Sequence, residues 1–352
     1  MRRRFLVVSA GCLAVAAILY SVFWFVASNN LQGGVENWAA GRRAAGWIVA
    51  WKNISIGGFP FVLRARVKGP RIAGPKSSWD WRGPELVATA RPWNLSRPEF
   101  IFPGRHHLSI LRNGAARDFT LTAAEALGGV HIDGGVPRGI TAKLAQIDIQ
   151  STAGKLPSGR AAIGQKITAD AISFRLDLPH LETPDPVISV ALAGVLLPDG
   201  PAALLGRDIR ALDARVKLLG VAAFKPSSRL RLSAALGDWR DGGGTVEIKR
   251  LHLDWGKMKF DGDGTIALDA DLQPVGAMRA RIQGYRALVD SLVHARQIPT
   301  RDADMAKFVL NMVARATPGG KNTITVPVTV QDRRLFIGPA SLMKLPRIDW
   351  EN

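Results

Sequence analysis

The residues with the means to do chemistry are few and scattered. Gly69-Pro-Arg-Ile-Ala-Gly74, followed by Pro75, Lys76 and Ser77, comes near a phosphate-binding loop. In such a loop the lysine follows the second glycine directly and a helix N-terminus receives the phosphate. Here Pro75 intervenes, and no helix is expected after it. Gly262-Asp-Gly-Thr-Ile-Ala267 has the glycine spacing of a dinucleotide site. The pattern after it is a strand, so it reads as a hairpin turn. Asp261 and Asp263 suggest calcium, yet the other ligands of a calcium loop are missing. Six histidines, His106, His107, His131, His180, His252 and His294, are dispersed along the chain. Adjacent His106 and His107 point to opposite faces of any strand, which makes them a poor joint metal site. Neither HExxH nor GxSxG occurs. Cys12 is the single cysteine, so no intramolecular disulfide or thiolate cluster can form. The expectation is a protein that is not an enzyme and takes no metal or cofactor.

The elements that would position any site begin with a membrane anchor. The chain has 352 residues, 47% of them hydrophobic, which is too apolar for disorder and ample for a core. Met1-Arg2-Arg3-Arg4 precedes an uncharged run from Phe5 to Ala27. As a helix that run spans roughly 35 Å, against about 30 Å for the hydrocarbon core of a bilayer. Three arginines before it and only Arg42 in the fifteen residues after it orient the N-terminus to the cytoplasm. The expected organisation is a cytoplasmic tail at 1–4, a transmembrane anchor at 5–27 and an exported, periplasmic part at 28–352. A cleavable signal peptide fits less well, because its apolar region is shorter and Phe25 is too bulky for the third position before a cut at Ala27. Ser9-Ala-Gly-Cys12 resembles a lipidation box, but the chain after Cys12 stays apolar.

The exported part alternates. Phe61, Leu63, Ala65 and Val67 fall on one face of a strand, with Val62, Arg64, Arg66 and Lys68 on the other. The same period recurs at Trp47–Ile56, Leu108/Ile110, Phe119/Leu121, Ile172/Phe174/Leu176, Ile188/Val190/Leu192, Leu230/Leu232, Leu251/Leu253/Trp255, Ile266–Leu272, Met278/Ala280/Ile282 and Ile324–Val330. Ala142 and Leu144 change phase to Ile147 and Ile149, which predicts a bulge near Ala145. A short helix is expected from Val35 to Ala45 with Gly46 as its stop, and a second candidate covers Pro201–Leu219. A helical hairpin is expected at Tyr285–Gln297 and Arg301–Ala316, split by Ile298-Pro299. Its first helix would bury Tyr285, Leu288 and Leu292, and its second a stripe of Met305, Phe308, Val309, Met312 and Val313. The fold class is therefore mainly β, or β-rich α+β: an N-terminal transmembrane helix, then an extended, curved antiparallel sheet or sandwich, then a C-terminal helical hairpin. The stretch 197–201 is the best candidate for a subdivision.

Net charge points to the partner. The whole chain carries +18, and removing Arg2, Arg3 and Arg4 leaves 44 basic against 29 acidic side chains, or +15. An exported basic protein meets anionic envelope material rather than nucleic acid. Arg64, Arg66 and Lys68 form an outward row and are the candidate contact with an anionic surface.

Two stretches carry a family resemblance. One is the anchor followed by Trp38, Gly46 and Gly58-Phe59-Pro60-Phe61. The other runs from Trp239-Arg-Asp-Gly-Gly-Gly244 through Leu253-Asp-Trp-Gly256 and Asp263-Gly-Thr265 to Leu268-Asp269 and Leu272-Gln-Pro274. Together they resemble a bacterial family of unknown function made of membrane-anchored periplasmic proteins, and the texture is similar to AsmA- and TamB-like envelope proteins. The resemblance implies an inner-membrane-tethered envelope component whose sheet holds lipid acyl chains on an apolar face. The expected function is lipid binding or envelope biogenesis, with no nucleic acid as partner. The alternative is a structural or adaptor module that binds an envelope protein or cell-wall polymer through its basic surface.

Overall fold

The computed structural model describes residues 2–75, 78–112, 115–152, 164–179, 185–200, 203–221, 232–296, 298–315, 323–338 and 340–350; the side chains of residues 1–14 are not described. The chain divides into two compact units, Met1–Val136 with Ser151–Ile163 and Pro137–Gln150 with Gly164–Asn352. The stretch 197–201 falls inside the second unit.

The first unit opens with α1 (Arg2–Ala44), one continuous helix where an anchor and a separate short helix were expected. The link Ser28–Gly34 holds no proline, and the helix runs through it, Gly33 and Gly34 included. Gly46 ends it as expected, at φ +83°. Trp24, Ser28 and Ala39 are buried and Leu31 and Val35 half-buried, a stripe of one face that packs beside β1 (Ile48–Ala50) and β2 (Asn53–Gly57). Among the described residues, no helix is long and apolar enough to cross a membrane. Of the run 5–27, the side chains of 5–14 lie outside the description.

β3 (Leu63–Lys68), β4 (Arg71–Ala73), β5 (Trp79–Arg82), β6 (Glu85–Arg91), β7 (Asn94–Ile101), β8 (Arg105–Arg112) and β9 (Ala115–Asp133) follow. β1 pairs with β4, β2 with β3, β4 with β5, β3 with β6, β5 with β8 and β6 with β7, while β9 pairs with both β7 and β8, all antiparallel. The nine strands thus form five long passes, the first four each interrupted at the same level. The breaks are Trp51-Lys52, Gly69-Pro70, Gly83-Pro84 and Phe102-Pro103-Gly104. Proline has no N–H for a ladder, and here the two central breaks satisfy each other. Gly69 N donates to Pro84 O at 2.8 Å and Gly83 N to Pro70 O at 3.1 Å. His106 fills the seam, buried and stacked on Trp81 at 5.7 Å. A Cβ on Gly83 would stand 2.6 Å from His106 Nδ1, so only glycine fits there.

The second unit is a consecutive antiparallel meander. β10 (Val136–Ser151), β11 (Lys166–Asp177), β12 (Val187–Leu196) and β13 (Asp208–Leu219) lead through α2 (Leu232–Asp241) to β14 (Thr245–Trp255), β15 (Met258–Leu268) and β16 (Pro274–Gln283). Then come α3 (Tyr285–His294), α4 (Thr300–Arg315), β17 (Thr323–Gln331), β18 (Arg334–Ile337) and β19 (Ala340–Lys344). Each strand pairs with the next along β10–β19.

Several expectations change. Of the candidate helix at 201–219, residues 208–219 are β13 and the described residues 203–207 are turn and isolated bridge. The expected strand at Leu230/Leu232 is wrong at Leu232, which opens α2, and Leu230 lies outside the described residues. Gly262 and Gly264 are not a hairpin turn but sit within β15, where a Cβ on Gly264 would stand 2.4 Å from Ala277 O on β16. The bulge expected near Ala145 is absent: Gln146 has φ +51°, but β10 keeps one register against β11 on both sides of it, Ala145 facing Ala171 and Ile147 facing Ala169. The helical hairpin is present, with Tyr285, Val289 and Leu292 buried on α3. On α4 the buried side chains are Ala303, Leu310 and Ala314, whereas Met305, Phe308 and Met312 are exposed. The side chain of Val313 lies outside the described residues.

Candidate functional site

Register decides what the β10–β14 strands present. Across them, Ala142, Phe174, Val190, Ala214 and Leu251 are successive partners, and so are Leu144, Ile172, Leu192, Leu212 and Leu253. A third row is Ile140, Leu176, Ile188, Val216 and Ile248. On β10–β13 alternation puts all three rows on one face, because each is two residues from the next. On β14 the step from Leu251 to Ile248 is three residues, and the irregularity between them, opposite Arg215/Val216, keeps the alignment. With about 4.8 Å between strands and about 6.8 Å between rows, the β10–β13 part covers roughly 400 Å².

The same face continues to β17. Leu253 faces Phe260, then Ile282, then Ile324; Leu251 leads through Gly262 and Ala280 to Val326. There α3 and α4 cover it, with Tyr285, Val289, Leu292 and Leu310 closing a core over Ala280, Ile282, Ile324 and Val326. Ile282 is 1% exposed and Ile324 0%. None of the twelve β10–β13 side chains in the three rows is buried, and Ile140 reaches 37% exposure. One apolar face is therefore covered at β15–β17 and left accessible at β10–β13. A face of this extent is in the range of the largest apolar patch of an ordinary monomer, which is often functional.

The opposite face of these strands is polar. Thr141, Arg175, Ser189, Arg215 and Arg250 form one row and Lys143, Ser173, Ala191, Asp213 and His252 the next. All of these except His252 line a cavity of about 390 Å³, together with Ala142, Phe174, Val190 and Ala214 from the strands between the two rows. Arg250 Nε lies 3.2 Å from Asp213 Oδ1. Lys143, Arg175 and Arg215 have no carboxylate partner among the described residues. His252 Nδ1 lies 2.6 Å from Asp261 Oδ1, so Asp261 is a hydrogen-bond partner across β14 and β15.

Arg64, Arg66 and Lys68 are exposed along β3, as the alternation predicts, while Leu63 and Ala65 are buried. Their register partners are Gly57, Ser55 and Asn53 on β2 and Thr89, Val87 and Glu85 on β6. The row belongs to the first unit. Sequence reading missed the polar cavity, because Arg175 and Arg215 become neighbours of Ser189 only through pairing. The alternation around Arg175 was visible; Arg215 lay in a stretch read as helix, and the alignment of the two was not visible. His106 is a packing residue, its Nε2 3.1 Å from Phe102 O.

Fold and site together define a class: a mainly β protein whose one-sided antiparallel meander leaves much of its apolar face uncapped by its own helices. The chain belongs to the bacterial family described as "Uncharacterized protein conserved in bacteria (DUF2125)", whose model matches residues 24–346. No curated protein matches it.

Proposed function

We propose that this chain is a membrane-anchored periplasmic envelope protein, not an enzyme, that holds the acyl part of a membrane lipid on the apolar face of β10–β14. The observation that carries the reading is the contrast within that face: covered by α3 and α4 at β15–β17, accessible at β10–β13. Across five strands the face extends about 19 Å, the scale of a lipid acyl chain. Half-buried Leu, Ile, Val and Phe side chains without polar partners favour an apolar ligand over a polar one. The anchor rests on the uncharged run 5–27, its three preceding arginines and its exposure: Val15, Ile18, Leu19, Val22, Phe23, Phe25 and Val26 are each about half exposed or more. A helix apolar on several sides is stable when lipid surrounds it.

Native mass spectrometry of the full chain, released from membranes in mild detergent, tests the reading. A stoichiometric phospholipid or lipid A adduct that survives delipidating washes is expected. An apo mass, with no uptake from added vesicles, would overturn it.

The polar cavity favours a second reading. Lys143, Arg175 and Arg215 around Ser173 and Ser189 would suit an anionic envelope polymer or the acidic surface of an envelope protein. Salt-sensitive binding lost on Arg175→Gln with Arg215→Gln, in a protein that carries no lipid, would favour that reading.

A further inference from the structure

The Gly58-Phe59-Pro60-Phe61 turn lies outside both faces just described, and its surroundings are specific. Gly58 adopts φ +100°, and a Cβ there would stand 2.4 Å from Val62 O. Val62 N donates back to Gly58 O at 3.0 Å, closing a tight reversal that presents Phe59 and Phe61. The Tyr20 hydroxyl donates to Pro60 O. Phe59 sits among three rings of α1: Tyr20 at 6.5 Å, Trp24 at 5.5 Å and Phe25 at 6.1 Å between centroids. Phe61 nevertheless remains 69% exposed and Phe59 50%. Leaving two phenylalanines so exposed in water forgoes a large part of their burial energy.

The level of this contact along α1 identifies what covers them. Tyr20, Trp24 and Phe25 belong to the last eight residues of the apolar run 5–27, so the turn sits within about 10 Å of its outer end. Aromatic side chains concentrate at that depth of a bilayer. Phe23, Phe25, Val22 and Val26 are exposed on the same stretch of helix, which makes the turn continuous with the anchor's own apolar surface. Arg64, three residues after Phe61 on β3, is exposed beside the turn, where it would meet anionic headgroups.

We infer that the Gly58–Phe61 turn is a second membrane contact: Phe59 and Phe61 seat in the outer leaflet interface of the bilayer that α1 crosses, and Arg64 meets its anionic headgroups. The inference rests on the proposed anchor. It gives the turn a physical purpose, holding the first pass of the sheet at the membrane surface rather than letting it swing on α1.

Spin-label accessibility separates this inference from the anchor reading. In a Cys12→Ser background, single cysteines replace Val15, Phe61 and Leu95 in the full chain, embedded in nanodiscs of phosphatidylethanolamine and phosphatidylglycerol. Leu95 is an exposed control on β7, 50% accessible. Relaxation by oxygen should exceed relaxation by a water-soluble nickel chelate at Val15 and Phe61, with the order reversed at Leu95. Lipid-like behaviour at Val15 with water-like behaviour at Phe61 would overturn the turn contact and leave the anchor standing. Water-like behaviour at Val15 and Phe61 together would overturn both. Lipid-like behaviour at Phe61 with water-like behaviour at Val15 would remove the anchor and overturn the inference, which places the turn at the anchor's outer end. Since all three side chains are exposed, the substitutions leave packing intact, which an unchanged melting curve checks.

Discussion

Asp80 shows how little of this protein's charge is available for chemistry. Its carboxylate accepts from Arg82 and Arg71, with Nη2 of each at 2.8 Å from Oδ2. Hydrogen bonding from Arg82 holds its pKa below the ordinary 3.8, against an opposing effect of burial and with further help from Arg71. A depressed carboxylate pKa stabilises the fold above the unfolded value and loses that stabilisation as pH falls through the folded value. Asp80→Asn should therefore lower stability at neutral pH, with the difference from wild type vanishing as pH drops below 3.8. Urea denaturation across pH reads this; a difference unchanged in acid would contradict it. Tyr285 offers a second test at this scale. It is fully buried, and its hydroxyl donates to Asn311 Oδ1 at 2.7 Å. Tyr285→Phe should cost about 1–2 kcal/mol, read as a lower denaturation midpoint, because Asn311 keeps only its Arg286 donors.

At the scale of elements, the apolar face makes a comparison the sheet itself supplies. Ile324 lies beneath the helical hairpin and Leu192 lies on the accessible part of the same face. Ile324→Ala should cost about 2–5 kcal/mol, as for a fully buried aliphatic side chain, and Leu192→Ala less than half of that. Equal costs would mean that Leu192 is covered. These strands were legible in the sequence because alternation is local: β3, β11, β12, β16 and β17 stand where the period puts them. The errors have physical reasons. β13 mixes Ala, Leu and Val with Arg, Asp and Lys in a pattern that serves either period until its partners choose the strand. α4 carries two apolar stripes, and the smaller one, Ala303, Leu310 and Ala314, packs because small side chains let the helix approach the sheet. Met305, Phe308 and Met312 of the larger stripe stay outside.

Over the whole molecule, the sequence showed that strands are one-sided but not which rows they build. That depends on register, and register here turns on local irregularities such as the one between Ile248 and Leu251 on β14. The candidate site was therefore only half readable: Arg64, Arg66 and Lys68 emerged as an exposed row, while the aligned apolar rows and the cavity behind them required pairing. The central claim is that lipid lies on the apolar face of β10–β14. Phe174 and Ser173 are neighbours in β11 that point to opposite faces, and Val190 and Ser189 repeat the arrangement in β12. The most direct measurement places a benzophenone side chain at each of these four positions in the full chain and irradiates it in native membranes. Lipid adducts at Phe174 and Val190, and none at Ser173 and Ser189, are the predicted result. Adducts at the two serine positions, or at none of the four, would contradict the account.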